Sequence, residues 1–344
     1  MADDRADGHR GGDVPARVPC RYGLIGSGIG ASLSPALHEG EGPHHGLDLT
    51  YELIDVQAPD TPDDLDRLLR EAEEAGFAGL NVTHPFKQRV IPRLDGLSRQ
   101  AEDIGAVNTI VFSGGRRVGH NTDAAGFAES FARELPGAAT GHVVQLGAGG
   151  AGAACAHAQL TAGTGRLTIA DPDPARRAAL VGRLTARFGA GRVAGIPPSG
   201  LETALASADG VVNASPVGMR SHPGTPMPVD LLRPGLWLVD IVYMPLTTRL
   251  LRAARSRGVR AIGGAGMCVF QAAASFELIT GRVPDTGRML RHLRALLDER
   301  RSRPCPRPPS ATCPTPCRCG GWWVRASWPS ASAWPPERSS CGRT

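Results

Sequence analysis

From Tyr22 onward, short β-rich runs alternate with helical stretches, and this alternation confines the chain to an α/β fold with parallel strands. A first series of runs covers 22–25, 51–56, 80–83 and 109–112. Between them, 60–75 carries leucines and alanines at helical spacing, opened by Thr61-Pro62-Asp63-Asp64 as a capped start. Parallel strands need crossovers of this kind, because each chain must be returned to the start of the next strand. A second series covers 142–146, 166–170, 210–213, 236–243 and 259–262, separated by helical stretches such as 151–161 and 175–187. The chain reads as two α/β halves joined near 123–131. An apolar helix at 270–279 and a charged one at 285–299 close it.

Charge removes one class of function. The net charge is +5, but residues 301–344 hold seven arginines and one glutamate, a net +6, so the remainder sums to −1. A basic nucleic-acid surface is therefore not expected in the folded part. The same segment holds five of eight cysteines and four of five tryptophans, with no helical or strand period. Cys313, Cys317 and Cys319 lack a partner pair or histidine at ligand spacing, so disorder is the better expectation there. Only Cys20, Cys155 and Cys268 remain, too few for a disulfide framework, and no metal is expected. No apolar run is long enough to span a bilayer, and 1–19 lacks the apolar core of a secretory signal. A cytoplasmic protein is expected.

Two motifs carry chemistry. Gly147-Ala148-Gly149-Gly150-Ala151-Gly152 follows one expected strand and opens an alanine-rich helix, the setting in which a G-x-G-x-x-G turn cradles a pyrophosphate. Gly147 serves the tight turn, Gly149 the approach of the phosphates, and Gly152 the packing of helix on strand. Asp171, at the end of the next strand, is placed to accept hydrogen bonds from a ribose 2′-hydroxyl, which favours NAD over NADP. Arg176 and Arg177 nearby leave NADP open, and a Rossmann half holding no nucleotide is the alternative reading of the turn. The second motif surrounds the single lysine. Of 38 basic residues 37 are arginine, and the exception is Lys87, in Asn81-Val-Thr83-His84-Pro85-Phe86-Lys87. Lysine releases its proton near neutral pH when its surroundings permit, and arginine does not. Asp123, in Asn121-Thr122-Asp123, is expected to face it across one crevice, either as a proton-handling pair or as an ordinary ion pair.

At these residues the chain resembles the shikimate dehydrogenase family. The resemblance is carried by Tyr22-Gly-Leu-Ile-Gly26, Ser32-Leu-Ser34-Pro35, the segments at Asn81–Lys87 and Asn121–Asp123, and Gly105-Ala-Val-Asn108-Thr109. It continues through Asn213-Ala-Ser-Pro-Val-Gly218-Met219, Asp240-Ile-Val242-Tyr243 and Gly264-Ala-Gly266-Met267, leading to Gln271-Ala-Ala, and so spans about 22–297. It implies Lys87 as catalytic acid/base with Asp123 beside it. Ser32 and Ser34 would hold the substrate carboxylate near Tyr243, and Thr83, Asn108, Asp123 and Gln271 would bind ring hydroxyls. Gly147, Gly149, Gly150, Gly152, Asp171 and Arg176 would hold the dinucleotide, with Met219, Val242 and Gly264 about the nicotinamide. Without the family, Ser32 and Ser34 read as an N-cap for the helix at Pro35.

The chain is expected to divide into a disordered leader, 1–20, and a substrate domain, 21–124, completed by helices within 268–299. A Rossmann domain at 125–267 and a disordered tail at 300–344 follow. Expected reactants are shikimate and 3-dehydroshikimate, with quinate as a further candidate and a homodimer as a candidate assembly. Gly28 and Ala31 stand where many members have Pro and His. Asp171-Pro172-Asp173 replaces the Asn-Arg-Thr that clamps a 2′-phosphate, which, with His84 and Tyr243-Met-Pro245, resembles the NAD-preferring quinate/shikimate branch. Ser34 resembles the ordinary shikimate enzymes instead, where that branch often carries threonine. The alternatives are an NADP-dependent biosynthetic enzyme, a tetrahydrofolate-type dehydrogenase and a non-catalytic sensor on the same fold. Retention of Lys87 and Asp123 argues against the last.

Overall fold

The computed structural model describes residues 17–56 and 62–302, so the expectations for most of the leader and for the tail beyond Ser302 lie outside it. Its strands are β1 (Val18–Gly26), β2 (Leu47–Asp55), β3 (Gly79–Val82), β4 (Gly96–Leu97), β5 (Thr109–Ser113) and β6 (Arg116–His120) in the first half. In the second half they are β7 (His142–Leu146), β8 (Arg166–Ala170), β9 (Val193–Ile196), β10 (Gly210–Asn213), β11 (Trp237–Asp240) and β12 (Arg260–Gly263). The α-helices, in order, are α1 (Ser34–Glu41), α2 (Pro62–Glu74), α3 (Phe86–Arg89), α4 (Arg99–Ile104), α5 (Asp123–Glu134) and α6 (Gly150–Thr161). They continue as α7 (Pro174–Phe188), α8 (Leu201–Ala206), α9 (Arg249–Ser256), α10 (Ala265–Thr280) and α11 (Thr286–Ser302).

Two six-stranded sheets result. The first has the order β2-β1-β3-β5-β6-β4, and three of its five pairings are parallel. The second, β12-β11-β10-β7-β8-β9, is parallel throughout and has the doubly wound order of a Rossmann sheet. Its central strands β10 and β11 are buried at every residue, as helices on both faces of a parallel sheet require. Helix α6 is buried from Gly152 to Leu160, which its run of alanines and glycines permits. Helix α10 is the apolar crossing element. It packs on α5 and, through Val269, Ala272 and Ala273, joins Leu33 and Leu37 around α1 and Met289, Leu293 and Leu297 of α11.

Several details depart from the sequence reading. Strand β1 begins at Val18, so three residues assigned to the leader belong to the sheet. Strands β4, β6 and β9 were not anticipated, and the run at 236–243 leaves the sheet after Asp240. Helix α11 continues to Ser302, past the expected boundary at 299. Helix α1 starts at Ser34, and Leu33 at its cap position makes no side-chain capping bond. Ser32, one residue earlier, accepts the first-turn N–H of Ser34 instead, and Ser34 itself is the first helical residue.

Candidate active site

Lys87 reaches the cleft because β3 ends at Val82 and a short loop turns into α3. Asp123 reaches it because the antiparallel β5–β6 hairpin returns the chain to the start of α5. Lys87 Nζ donates to Asp123 Oδ2 at 2.5 Å. Asn108 Nδ2 donates to the other oxygen, Oδ1, at 3.0 Å. The orientation of that amide is fixed from its far side: Asn108 Oδ1 accepts from the Thr122 backbone N–H at 2.7 Å and from Thr109 Oγ1 at 3.1 Å. Gln271 Oε1, from α10, meets Asn108 Nδ2 at 3.5 Å. Thr83 lies at the same strand end, its side chain against Gly26. Burial and the Asp123 carboxylate push the Cys268 thiol up to about 12, so it stays protonated and offers no thiolate.

The expected carboxylate-binding residues lie on the adjoining wall. Ser32 Oγ donates to Ser34 Oγ at 3.2 Å, and the Ser34 backbone N–H donates to Ser32 Oγ at 3.2 Å. Asp55, absent from the sequence reading, orients the loop before them: its carboxylate accepts from the Gly28 and Ile29 backbone N–H groups at 2.8 and 3.2 Å. The signal was an acid at the end of β2, paired in register with Gly26. Tyr51 and Tyr243 lie close enough to influence each other, and burial raises both phenols, which therefore remain neutral donors.

The glycine-rich turn faces this constellation. Gly147 has φ +104°, and a Cβ there would run into the Ala214 carbonyl beyond β10. A Cβ on Gly152 would strike the Gly147 carbonyl. One on Gly149, the cap of α6, would meet nothing within 4 Å, which leaves the helix N-terminus open to an anion. This backbone suits a dinucleotide pyrophosphate. At Gly150 an added Cβ would lie 3.4 Å from Lys87 Cδ, so the turn and the lysine share one cleft. Met219, Val242 and Gly264 follow β10, β11 and β12 at the carboxyl edge of the same sheet, with Met219 exposed and Val242 buried. Below them Asp240 accepts from Asn213 Nδ2 at 2.9 Å, the Val242 N–H at 3.2 Å and Thr248 Oγ1 at 2.6 Å. Burial still raises its carboxyl to about 6.

Asp171 differs from expectation. It is 1 % exposed, its carboxylate turned inward and not toward the surface. Its oxygens accept from the Ala148 N–H at 2.7 Å and the Asp173 N–H at 2.9 Å, tying the end of β8 to the glycine-rich turn. The accessible acid is Asp173, which caps α7 through the Ala175 and Arg176 N–H groups and pairs with Arg176 Nη2 at 3.1 Å. Arg177 Nη1 is turned onto the Asp171 carbonyl. Among the described residues no group of three or more His, Cys, Asp or Glu is arranged to hold a metal ion, and no helix is long and apolar enough to cross a membrane.

Comparisons with known proteins bear on the family of the chain. A family model for the shikimate dehydrogenase substrate-binding domain matches residues 24–110, and one for the shikimate 5′-dehydrogenase C-terminal domain matches 264–294. A shikimate dehydrogenase (NADP⁺) of Streptomyces avermitilis is 56% identical over 78% of this chain and 92% of its own. A quinate/shikimate dehydrogenase (NAD⁺) of Corynebacterium efficiens is 47% identical over 78% and 95%. The solved quinate dehydrogenase of Corynebacterium glutamicum in complex with NAD superposes with a TM-score of 0.76 at 43% identity, covering 81% of this chain and all of that one.

Proposed function

This chain belongs to the shikimate dehydrogenase family, and from that premise we propose how its residues interconvert shikimate and 3-dehydroshikimate. The observation that carries the reading is the Lys87–Asp123 pair lying against Gly150 of the dinucleotide turn. Bound NAD(P) supplies the hydride acceptor in oxidation and the donor in reduction. Lys87 takes the hydroxyl proton as the carbonyl forms and returns it in reduction. Asp123, held by Asn108, fixes the amine and accepts from a ring hydroxyl, while Thr83, Asn108 and Gln271 position the others. Ser32, Ser34 and Tyr243 donate to the substrate carboxylate. Orienting both reactants in one cleft supplies much of the rate.

NAD is the preferred cofactor in this reading. Asp173 stands at the accessible end of β8, and Arg176 is already engaged by Asp173 and Asp171, the latter at 3.7 Å. An acid there accepts from a 2′-hydroxyl and repels a 2′-phosphate. The NADP reading is favoured instead by the Streptomyces relative. Initial rates with shikimate or quinate, each with NAD⁺ or NADP⁺, separate the two. NAD⁺ preference supports the Asp173 reading, and quinate turnover adds the second substrate. NADP⁺ preference would mean that Arg176 outweighs the two acids.

A further inference from the structure

Arg300 lies where α11 approaches both arms of the carboxylate site. The buried face of α11 runs through Met289, Leu293 and Leu297, and Arg300 is the next residue on that face, three positions on. This directs its side chain back toward α1 and the cleft. Arg300 Nη1 donates to the Ala31 carbonyl at 2.8 Å and meets Met244 Sδ at 3.7 Å. Ala31 immediately precedes Ser32, and Met244 immediately follows Tyr243. One guanidinium therefore joins the first-sheet half to the second-sheet half at the end of the cleft where the two serines and the tyrosine sit.

We propose that Arg300 is a specificity-determining residue for the carboxylate of the substrate, clasping the Ser32 and Tyr243 arms together and supplying the positive charge that their hydroxyls lack. This rests on the reading of Ser32, Ser34 and Tyr243 given above. Those hydroxyls are neutral, and Lys87 already faces Asp123. A carboxylate leaving water for hydroxyls alone would be poorly compensated. Both contact partners of Arg300 are neutral, a carbonyl and a thioether, so neither cancels its charge. By contrast, the guanidinium groups of Arg176 and Arg288 meet acids. The charge is felt at the site, since it opposes the burial-driven rise of the Tyr243 phenol. Two donors on Nη2 and one on Nε lie outside the contacts made by Nη1 and remain for an anion or its water.

The test uses the full chain with Arg300→Gln and Arg300→Lys, assayed with shikimate and with its neutral methyl ester, alongside thermal melting. Arg300→Gln should raise KM for shikimate about tenfold, as loss of one screened charge interaction implies, with kcat and the cofactor KM little changed. KM for the ester should barely move, and Arg300→Lys should recover part of the loss. Rising salt should weaken shikimate binding in the wild type more than in Arg300→Gln. An unchanged shikimate KM, or equal increases for acid and ester, would overturn the proposal while leaving the dehydrogenase reading intact. A wild-type chain that turns over neither shikimate nor quinate would overturn both.

Discussion

Lys87 is the residue whose removal should separate chemistry from binding. Its amine meets Asp123, while its aliphatic chain lies by Gly150, so Lys87→Ala deletes the proton carrier and only a few carbon contacts on the cofactor side. We expect kcat to fall about 10³-fold, within the range for loss of a general acid/base, with dinucleotide affinity largely kept. Near-normal turnover beside intact NADH binding would remove Lys87 from the mechanism. This residue was legible because a chain with 37 arginines keeps one lysine inside a motif. Asp55 was not legible, since its role depends on parallel register with Gly26 and not on sequence proximity. The orientation of Asp171 was not legible for a related reason: spacing places an acid at the strand end but does not show which way its carboxylate turns. Here it turns inward to the Ala148 N–H, and Asp173 is left accessible.

Helix α6 and its turn test the reading at the scale of an element. The backbone at Gly149, φ −72° and ψ −172°, is open to any L-residue, and a Cβ there meets only space. Gly149→Ala should therefore melt like the wild type yet bind NADH at least tenfold more weakly, because its methyl occupies ground meant for phosphate. Gly152→Ala forces a methyl into the Gly147 carbonyl and should lose about 1–3 kcal/mol of stability as well as affinity. Melting curves and NADH fluorescence titrations of both variants check the contrast, and equal effects on melting would contradict it. The helix and strand of this motif were readable because β7, His142-Val143-Val144-Gln145-Leu146, is a short β-rich run directly before a glycine-rich turn. Strand β6 was not, since Arg116-Arg117-Val118-Gly119-His120 has little strand character. Its signal was the Gly114-Gly115 pair, both at positive φ, which closes a tight hairpin. That hairpin delivers Asp123 to the lysine.

At the scale of the whole molecule, two buried titrating groups in opposite halves give opposite pH dependences. His38, buried beneath β1 with Nδ1 at 2.6 Å from Tyr22 Oη, is lowered by burial from 6.5 to about 3. It contributes stability that is present above pH 6.5 and lost as pH falls toward 3, because the unfolded chain binds the proton first. Asp240, at the end of β11, is raised by burial from 3.8 to about 6. Its contribution is present below pH 3.8 and lost as pH rises through 6. Each changes stability by about 1.4 kcal/mol per pH unit within its window, with opposite sign. Between pH 4 and 6 the two cancel only if both halves unfold together, and the packing of α10 on α5 and around α1 provides that coupling. Relative to the wild type, Asp240→Asn should gain stability as pH rises across this window, and His38→Asn should lose it. Urea unfolding at pH 4, 5 and 6 reads both slopes. Parallel profiles for the three proteins would remove the two groups as opposing terms. A wild type with two transitions moving apart as pH changes would instead show that each half answers to its own buried group.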